Sequence, residues 1–193
     1  MKKQHKSNES PIVENSWQYP KHRPEIQKQL LDEQNNLCAY TETYLDRTDK
    51  KDIEHFNPTL KHTENDGYEN WFLVKSQWNT EKGKTPRWLK HQPILYPTSE
   101  DFEERVKCIS GEYICHPDDD EAEKLIKYLK LDDPILTSKR KAYLQRRKET
   151  ILYKGTDAET YFKELLEKEP ERVIYIRAIE EEFKIKINFS QLI

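Results

Sequence analysis

Nothing in this chain is long and apolar enough to cross a bilayer, which takes ~18 or more consecutive apolar residues, and no secretory leader is recognisable. These absences predict a soluble, cytoplasmic protein without membrane contact. Cysteine is scarce as well. Three cysteines, an odd number, exclude a disulfide framework, and free thiols are the default in a reducing cytosol. Neither sign of charge dominates: 33 Lys and Arg face 36 Asp and Glu, for a net charge of −3. That excludes a uniformly basic, unselective nucleic-acid binder. Internal repeats and long low-complexity segments are also missing, so the architecture is not built by repeating one unit.

What is present is a lean but adequate core. Hydrophobic residues make up 34% and charged ones 36%, while 4 Trp and 11 Tyr supply large buried areas per residue. The length of 193 residues fits one domain, or one with an appendage. Charge is segregated along the chain. Lys75, Lys82, Lys84, Arg87 and Lys90 face only Glu81 in their segment, and 139–148 holds six basic residues and no acid. Acidic runs at 100–104 and 118–123 balance them. This pattern fits a polyanion-binding face opposite an acidic one; solvated helix surfaces look much the same.

Three regions follow. Residues 1–19 are polar and read as a flexible tail. Residues 20–92 hold a leading helix from Pro24 to about Asn36, then a short β-hairpin, a long loop and a helix starting near Asn79 that Thr85-Pro86 ends or kinks. Residues 93–193 begin with paired strands, 102–108 and 112–116, around Gly111, which set Cys108 and Cys115 across a hairpin. Helices follow: Glu121 to Leu131, Pro134 to Tyr153 with Gly155 as C-cap, Asp157 to Lys168 with Asp157 as N-cap, and a last one opened by Pro170. These helices pack on the smaller region that precedes them, which is too slight to be stable alone.

The densest chemical signal is Asp52-Ile53-Glu54-His55-Phe56-Asn57-Pro58, followed by Asn70 and by Asn79-Thr80-Glu81-Lys82-Gly83-Lys84. A neutral histidine can take a proton from water near pH 7. A hard cation such as Mg²⁺ needs only one or two protein oxygen ligands beside phosphate oxygens. Glu54 and the Asn79 amide oxygen would suffice. Successive strand side chains point to opposite faces, so Glu54 and His55 share a site only if the strand ends or bends there, which Pro58 allows. Taken singly, each residue has a plainer reading: a structural histidine, a turn or cap asparagine, a surface lysine. Asp52 reads equally as a supporting acid or a surface one.

These residues resemble the core of the HNH nuclease family. Flanking segments agree: Leu37-Cys38-Ala39-Tyr40-Thr41-Glu42, Tyr68-Glu69-Asn70-Trp71-Phe72, and Asn79-x-x-Lys82. The resemblance implies an α+β fold, a small ββα-metal HNH core embedded in a mostly helical domain. It implies His55 as general base, Asn70 as the brace of the loop, and Glu54 and Asn79 as ligands of one divalent metal, Mg²⁺ first and Mn²⁺ as an alternative. Lys82, Lys84 and Arg87 would contact phosphates. The activity implied is endonucleolytic hydrolysis of nucleic acid, DNA in preference to RNA. Residues 111–140 resemble bacterial HNH proteins that work beside an ATPase subunit in antiphage defence of the Septu type. A catalytically weak HNH-fold module that docks nucleic acid or an ATPase, and an RNA-directed toxin, are the competing readings. One departure stands out. Many relatives hold a zinc with two Cys-x-x-Cys pairs, whereas Cys38-x-x-Thr41 and 75–78 offer a single cysteine; a structural zinc needs four ligands, so none is expected.

Overall fold

A computed structural model describes residues 1–83 and 85–189. They form a mixed α+β fold that is mostly helical, with two separate two-stranded antiparallel sheets. The helices are α1 (Pro11–Glu14), α2 (Arg23–Glu33), α3 (Ser76–Lys82), α4 (Thr85–Lys90), α5 (Phe102–Arg105), α6 (Asp120–Tyr128), α7 (Pro134–Lys154), α8 (Ala158–Lys168) and α9 (Ile176–Phe183). The strands are β1 (Lys51–His55), β2 (Trp71–Lys75), β3 (Lys107–Ile109) and β4 (Glu112–Ile114).

The first sheet positions the site. β1 and β2 pair in register from Lys51↔Lys75 to His55↔Trp71. Phe72, Leu73 and Val74 of β2 are all buried, so this strand is covered on both faces. α2 covers one of them with Ile26 and Leu30. The outer edge of β2 is closed by a side chain: the Gln34 amide donates to Leu73 O (2.8 Å) and accepts from Leu73 N (2.8 Å). A free strand edge would otherwise invite pairing with another chain. α3 begins directly after β2, three residues earlier than the sequence suggests, so Asn79 lies within the helix and not at its start. Gly83, at φ +82°, ends it in a conformation that costs glycine little.

The segment 37–44 keeps a tight knuckle without thiolate pairs. Cys38 N donates to Thr43 O, Glu42 N donates to Cys38 O, and Leu37 bridges Tyr44. Cys38 is buried, and Thr41 Oγ1 meets Thr43 Oγ1 at 2.8 Å. Among the described residues, no group of three or more His, Cys, Asp and Glu side chains could hold a metal ion.

Three expectations are corrected here. Residues 1–19 do not form a tail: Met1, Ser10 and Ile12 are buried, and Lys6 crosses the Tyr68 and Phe72 rings to donate to Trp71 O. The polar composition misled because lysine stems cover apolar surface while their ends find acceptors. Glu42 gathers the same segment, accepting from Lys2 N (2.8 Å) and from Tyr113 Oη (3.2 Å), with the Met1 ammonium 3.8 Å away. Second, 102–108 is not one strand. Phe102 and Val106, both buried, are four residues apart, a helical spacing, and α5 forms before β3 begins. Third, Cys108 pairs with Tyr113 across the hairpin, while Cys115 lies beyond β4 beside Asp119 O (3.9 Å).

The later helices follow their punctuation. Asp119, Asp133 and Asp157 each cap a helix with a carboxylate oxygen accepting from a main-chain N–H. Gly155 closes α7 at φ +62°. Beyond Pro170 only a short 3₁₀ turn forms, and α9 starts after Tyr175, whose left-handed φ of +59° separates the two. Arg140, only 2% exposed, rivets these parts together. It donates to Gly111 O and Leu131 O (2.7 Å each) and to Thr137 Oγ1 (3.0 Å), and lies 4.8 Å from the Tyr113 ring centre. A Cβ on Gly111 would sit 3.2 Å from Lys141 N, a tight contact at a φ of +81° that strains other residues, so glycine suits this close approach of the hairpin to α7.

Candidate functional site

Strand alternation divides β1 into two sides. Ile53 and His55 point one way, Asp52 and Glu54 the other. On α3, Asn79 and Lys82 are three residues apart and share a face. That face meets the acidic side of β1 in two rungs. Asn79 Nδ2 donates to Asp52 Oδ2 at 3.1 Å, and Lys82 Nζ pairs with Glu54 Oε1.

The His55 side is a connected network. His55 is 5% exposed and its Nε2 lies 3.1 Å from Asp66 Oδ2. That nitrogen makes no well-aligned hydrogen bond, and its close approach to the Asp66 carboxylate is favourable when Nε2 carries the proton. Nδ1 then keeps its lone pair. Asp66 Oδ1 accepts from Trp71 Nε1 (2.9 Å) and from Asn70 Nδ2 (3.2 Å). Asn70 in turn clamps the main chain of Asn57: its Oδ1 accepts from Asn57 N at 2.7 Å, and its Nδ2 donates to Asn57 O at 3.1 Å. The turn after β1 is thereby pinned to the start of β2. Burial pushes the His55 pKa down to about 4, against the opposing pull of Asp66, with Lys61 and His62 adding to the depression. The imidazole is therefore neutral at pH 7. The Tyr19 ring stands edge-on to His55 at 4.8 Å, and Lys61 is 5.5 Å from the Tyr19 ring centre. A cavity of about 680 Å³ opens beside Asp66, with Trp17, Tyr19, Tyr68 and Trp71 among its walls.

The Glu54 side is sealed. Glu54 and Lys82 are 1% and 3% exposed. Tyr40 Oη donates to Glu54 Oε2, and Lys82 Nζ pairs with Oε1, which has no hydrogen bond besides. Lys82 Nζ also donates to His55 O (2.8 Å) and Phe56 O (3.1 Å). Burial, with Arg87 adding to it, lowers the Lys82 pKa to about 7. Three acceptors around one nitrogen nevertheless match the three donors of an ammonium, where a neutral amine has two. We regard Lys82 as charged.

The divalent metal implied by the family resemblance does not fit this arrangement. Both oxygens of Glu54 are engaged, one by a cation, and Asn79 turns its amide nitrogen to Asp52.

The phosphate-binding expectation for Lys82 is corrected as well: the residue is 3% exposed and its ammonium is taken up inside the fold. Arg87 spends its guanidinium on main-chain carbonyls, Glu81 O from one nitrogen and Lys127 O and Tyr128 O (3.1 Å each) from another. It ties α4 to the end of α6. Lys84 lies outside the described residues. Sequence reasoning missed Asp66 and the hydroxyl of Tyr40. Neither carries a local signal: Asp66 is one acid in a polar loop, and Tyr40 reaches Glu54 from 14 residues away.

No family model, characterised protein or solved structure matches the chain.

Proposed function

We propose that this chain is a nuclease-type protein of the HNH kind that acts on phosphodiesters of nucleic acid through His55, with DNA the first substrate to test. The observation that carries this reading is the order β1, β2, α3 with His55 at the end of β1. Its ring is fixed by Asp66, and Asn70 clamps the following turn. A neutral, oriented imidazole is what a general base for water requires, and its neighbours Asp66 and Trp71 line an open cavity. With Nε2 held by Asp66, Nδ1 receives the water proton and the Asp66 carboxylate stabilises the imidazolium that forms. Lys61, exposed on the same side, is a cation suited to a phosphate oxygen there. Phosphate contacts position a strand without reading its sequence.

A second reading is favoured by the Lys82–Glu54 pair: an HNH-type module that docks nucleic acid without cutting it. An ATPase subunit as partner rests on the family resemblance. The exposed Leu152 and Tyr153 at the end of α7 supply apolar contact area for such a docking role.

The test is incubation of purified protein with supercoiled plasmid, linear duplex and transfer RNA, in Mg²⁺, Mn²⁺ or chelator, beside His55→Ala. Cleavage that depends on His55 is expected. A His55→Ala protein that keeps more than half of the wild-type rate removes the assignment. Salt-sensitive binding without cleavage selects the docking module.

A further inference from the structure

Among the described residues three buried carboxylates meet cations, and Glu180 takes Lys2 (2.9 Å) and Lys186 (3.4 Å). Glu42 faces the Met1 ammonium and main-chain donors, while Glu54 faces Lys82 on the helix that follows β2. This last pairing is placed where a divalent ion bound to Glu54 would have to sit. We infer that the Lys82 ammonium is the resident cation of Glu54, so that this site takes no divalent metal unless Lys82 is removed.

The geometry supports this in three ways. Lys82 is fixed from both ends of its charge: one contact to the carboxylate, and two to the consecutive carbonyls of His55 and Phe56. A lysine merely passing Glu54 would not also satisfy the last carbonyl of β1 and the next one. Aromatic rings flank the ammonium. Lys82 Nζ lies 5.3 Å from the Tyr128 ring centre and 6.0 Å from that of Phe56, and the residue is 3% exposed. The remaining Glu54 oxygen is held by Tyr40. Two cations on one buried carboxylate repel each other, and an ion that keeps its waters, as Mg²⁺ does, needs room that the Tyr40–Glu54–Lys82 contact does not leave.

The pairing also explains the helix spacing. Asn79 and Lys82 on α3 match Asp52 and Glu54 on β1 rung for rung. Replacing Lys82 by a neutral side chain would leave Asp52, Glu54 and Asn79 as an oxygen-rich group on facing elements, a donor set that suits Mg²⁺ or Mn²⁺.

Only the choice of ion rests on the nuclease-type reading; metal binding is read independently of cleavage, and either can fail alone. The experiment titrates Mn²⁺ into the full chain, followed by paramagnetic resonance of the free ion. Four proteins are compared: wild type, Glu54→Gln, Lys82→Met and Lys82→Met/Glu54→Gln. Wild type and Glu54→Gln should give the same weak, non-stoichiometric curve. Lys82→Met should bind one Mn²⁺ per chain at least about tenfold more tightly, and the double variant should lose that gain. A wild-type protein that binds one Mn²⁺ tightly and loses it in Glu54→Gln overturns the inference. So does a folded Lys82→Met protein that binds no better than wild type. If Lys82→Met does not fold, the wild-type and Glu54→Gln pair still decides, because a metal resident on Glu54 would separate their curves.

Discussion

The two sides of β1 are built from the same few residues and have opposite characters. On the His55 side, polar groups form a chain from Asp66 through His55, Trp71 and Asn70, and the chain borders an open cavity. On the Glu54 side, Glu54 and Lys82 are closed off from water and answer one another, while the half-buried Asp52 takes Asn79. A single strand thus carries one face arranged to meet a ligand and another arranged to hold a helix. Acid-His adjacency suggests one joint site, but strand alternation separates its members.

The largest effect that would break this comparison is on rate. His55→Ala should lower cleavage by about 10²- to 10⁴-fold, the usual contribution of a general base, while midpoint denaturant concentration changes little. Plasmid relaxation assays and urea unfolding on one preparation would check both halves. A stability loss without a rate loss would move His55 to the structural side.

Next is Lys82→Ala, which strands the Glu54 carboxylate in a closed environment. Breaking a buried pair by removing one partner costs about 3 to 5 kcal/mol. Replacing both partners at once, Glu54→Leu with Lys82→Met, should return most of that stability. Equilibrium unfolding of the three proteins gives the comparison directly; a double variant as unstable as the single one would mean that the pair is not closed to water.

A pH profile sharpens the His55 side. The folded pKa of His55, about 4, lies below its unfolded value near 6.5. The unfolded chain therefore binds more protons across that interval. The stabilisation is complete above pH ~6.5 and is lost as pH falls through about 4, at about 1.4 kcal/mol for each unit separating the two values. The acid limb of activity should fall near pH 4 and not near 6.5. In Asp66→Asn that limb should move lower still, since the carboxylate is what pulls the pKa upward. An unchanged limb in that variant would detach Asp66 from His55.

The smallest effect expected is on salt dependence. Arg87→Gln should leave the slope of log K against log salt on duplex DNA within the ~0.9 that one lost phosphate contact would remove, because its guanidinium is already committed to carbonyls.

Helices with punctuation of their own were legible in the sequence. Pro24, Pro134, Asp157 and Gly155 mark ends that the chain uses, because capping is a local matter of one side chain and a few main-chain groups. The clamp on the turn after β1 was legible to the extent that Asn70 was read as a brace. What escaped was direction. Lys82 was counted with a basic run, though its spacing from Asn79 and that of Glu54 from Asp52 already match a strand facing a helix. Asp66 could not be found, since its four contacts depend on how a loop folds back on β1 and β2. The N-terminal segment was misjudged for a related reason: composition records charge, not whether a charged tip finds an acceptor.

Arg140 has a mechanical consequence. α7 is 21 residues long, about 31 Å at 1.5 Å per residue, and its most buried anchor lies in its first half, where Arg140 grips Gly111 O and Leu131 O. Leu152 and Tyr153, 83% and 92% exposed, stand at its far end. Between the two, Tyr143 and Arg147 donate to Arg172 O, Arg147 donates to Tyr161 Oη and Lys148 pairs with Glu182, so a force at the tip is shared between these contacts and the Arg140 grip roughly 20 Å away. The hairpin in turn touches Glu42 through Tyr113. The share of a load on the α7 tip that reaches Arg140 would thus pass through the hairpin to the knuckle that carries Tyr40.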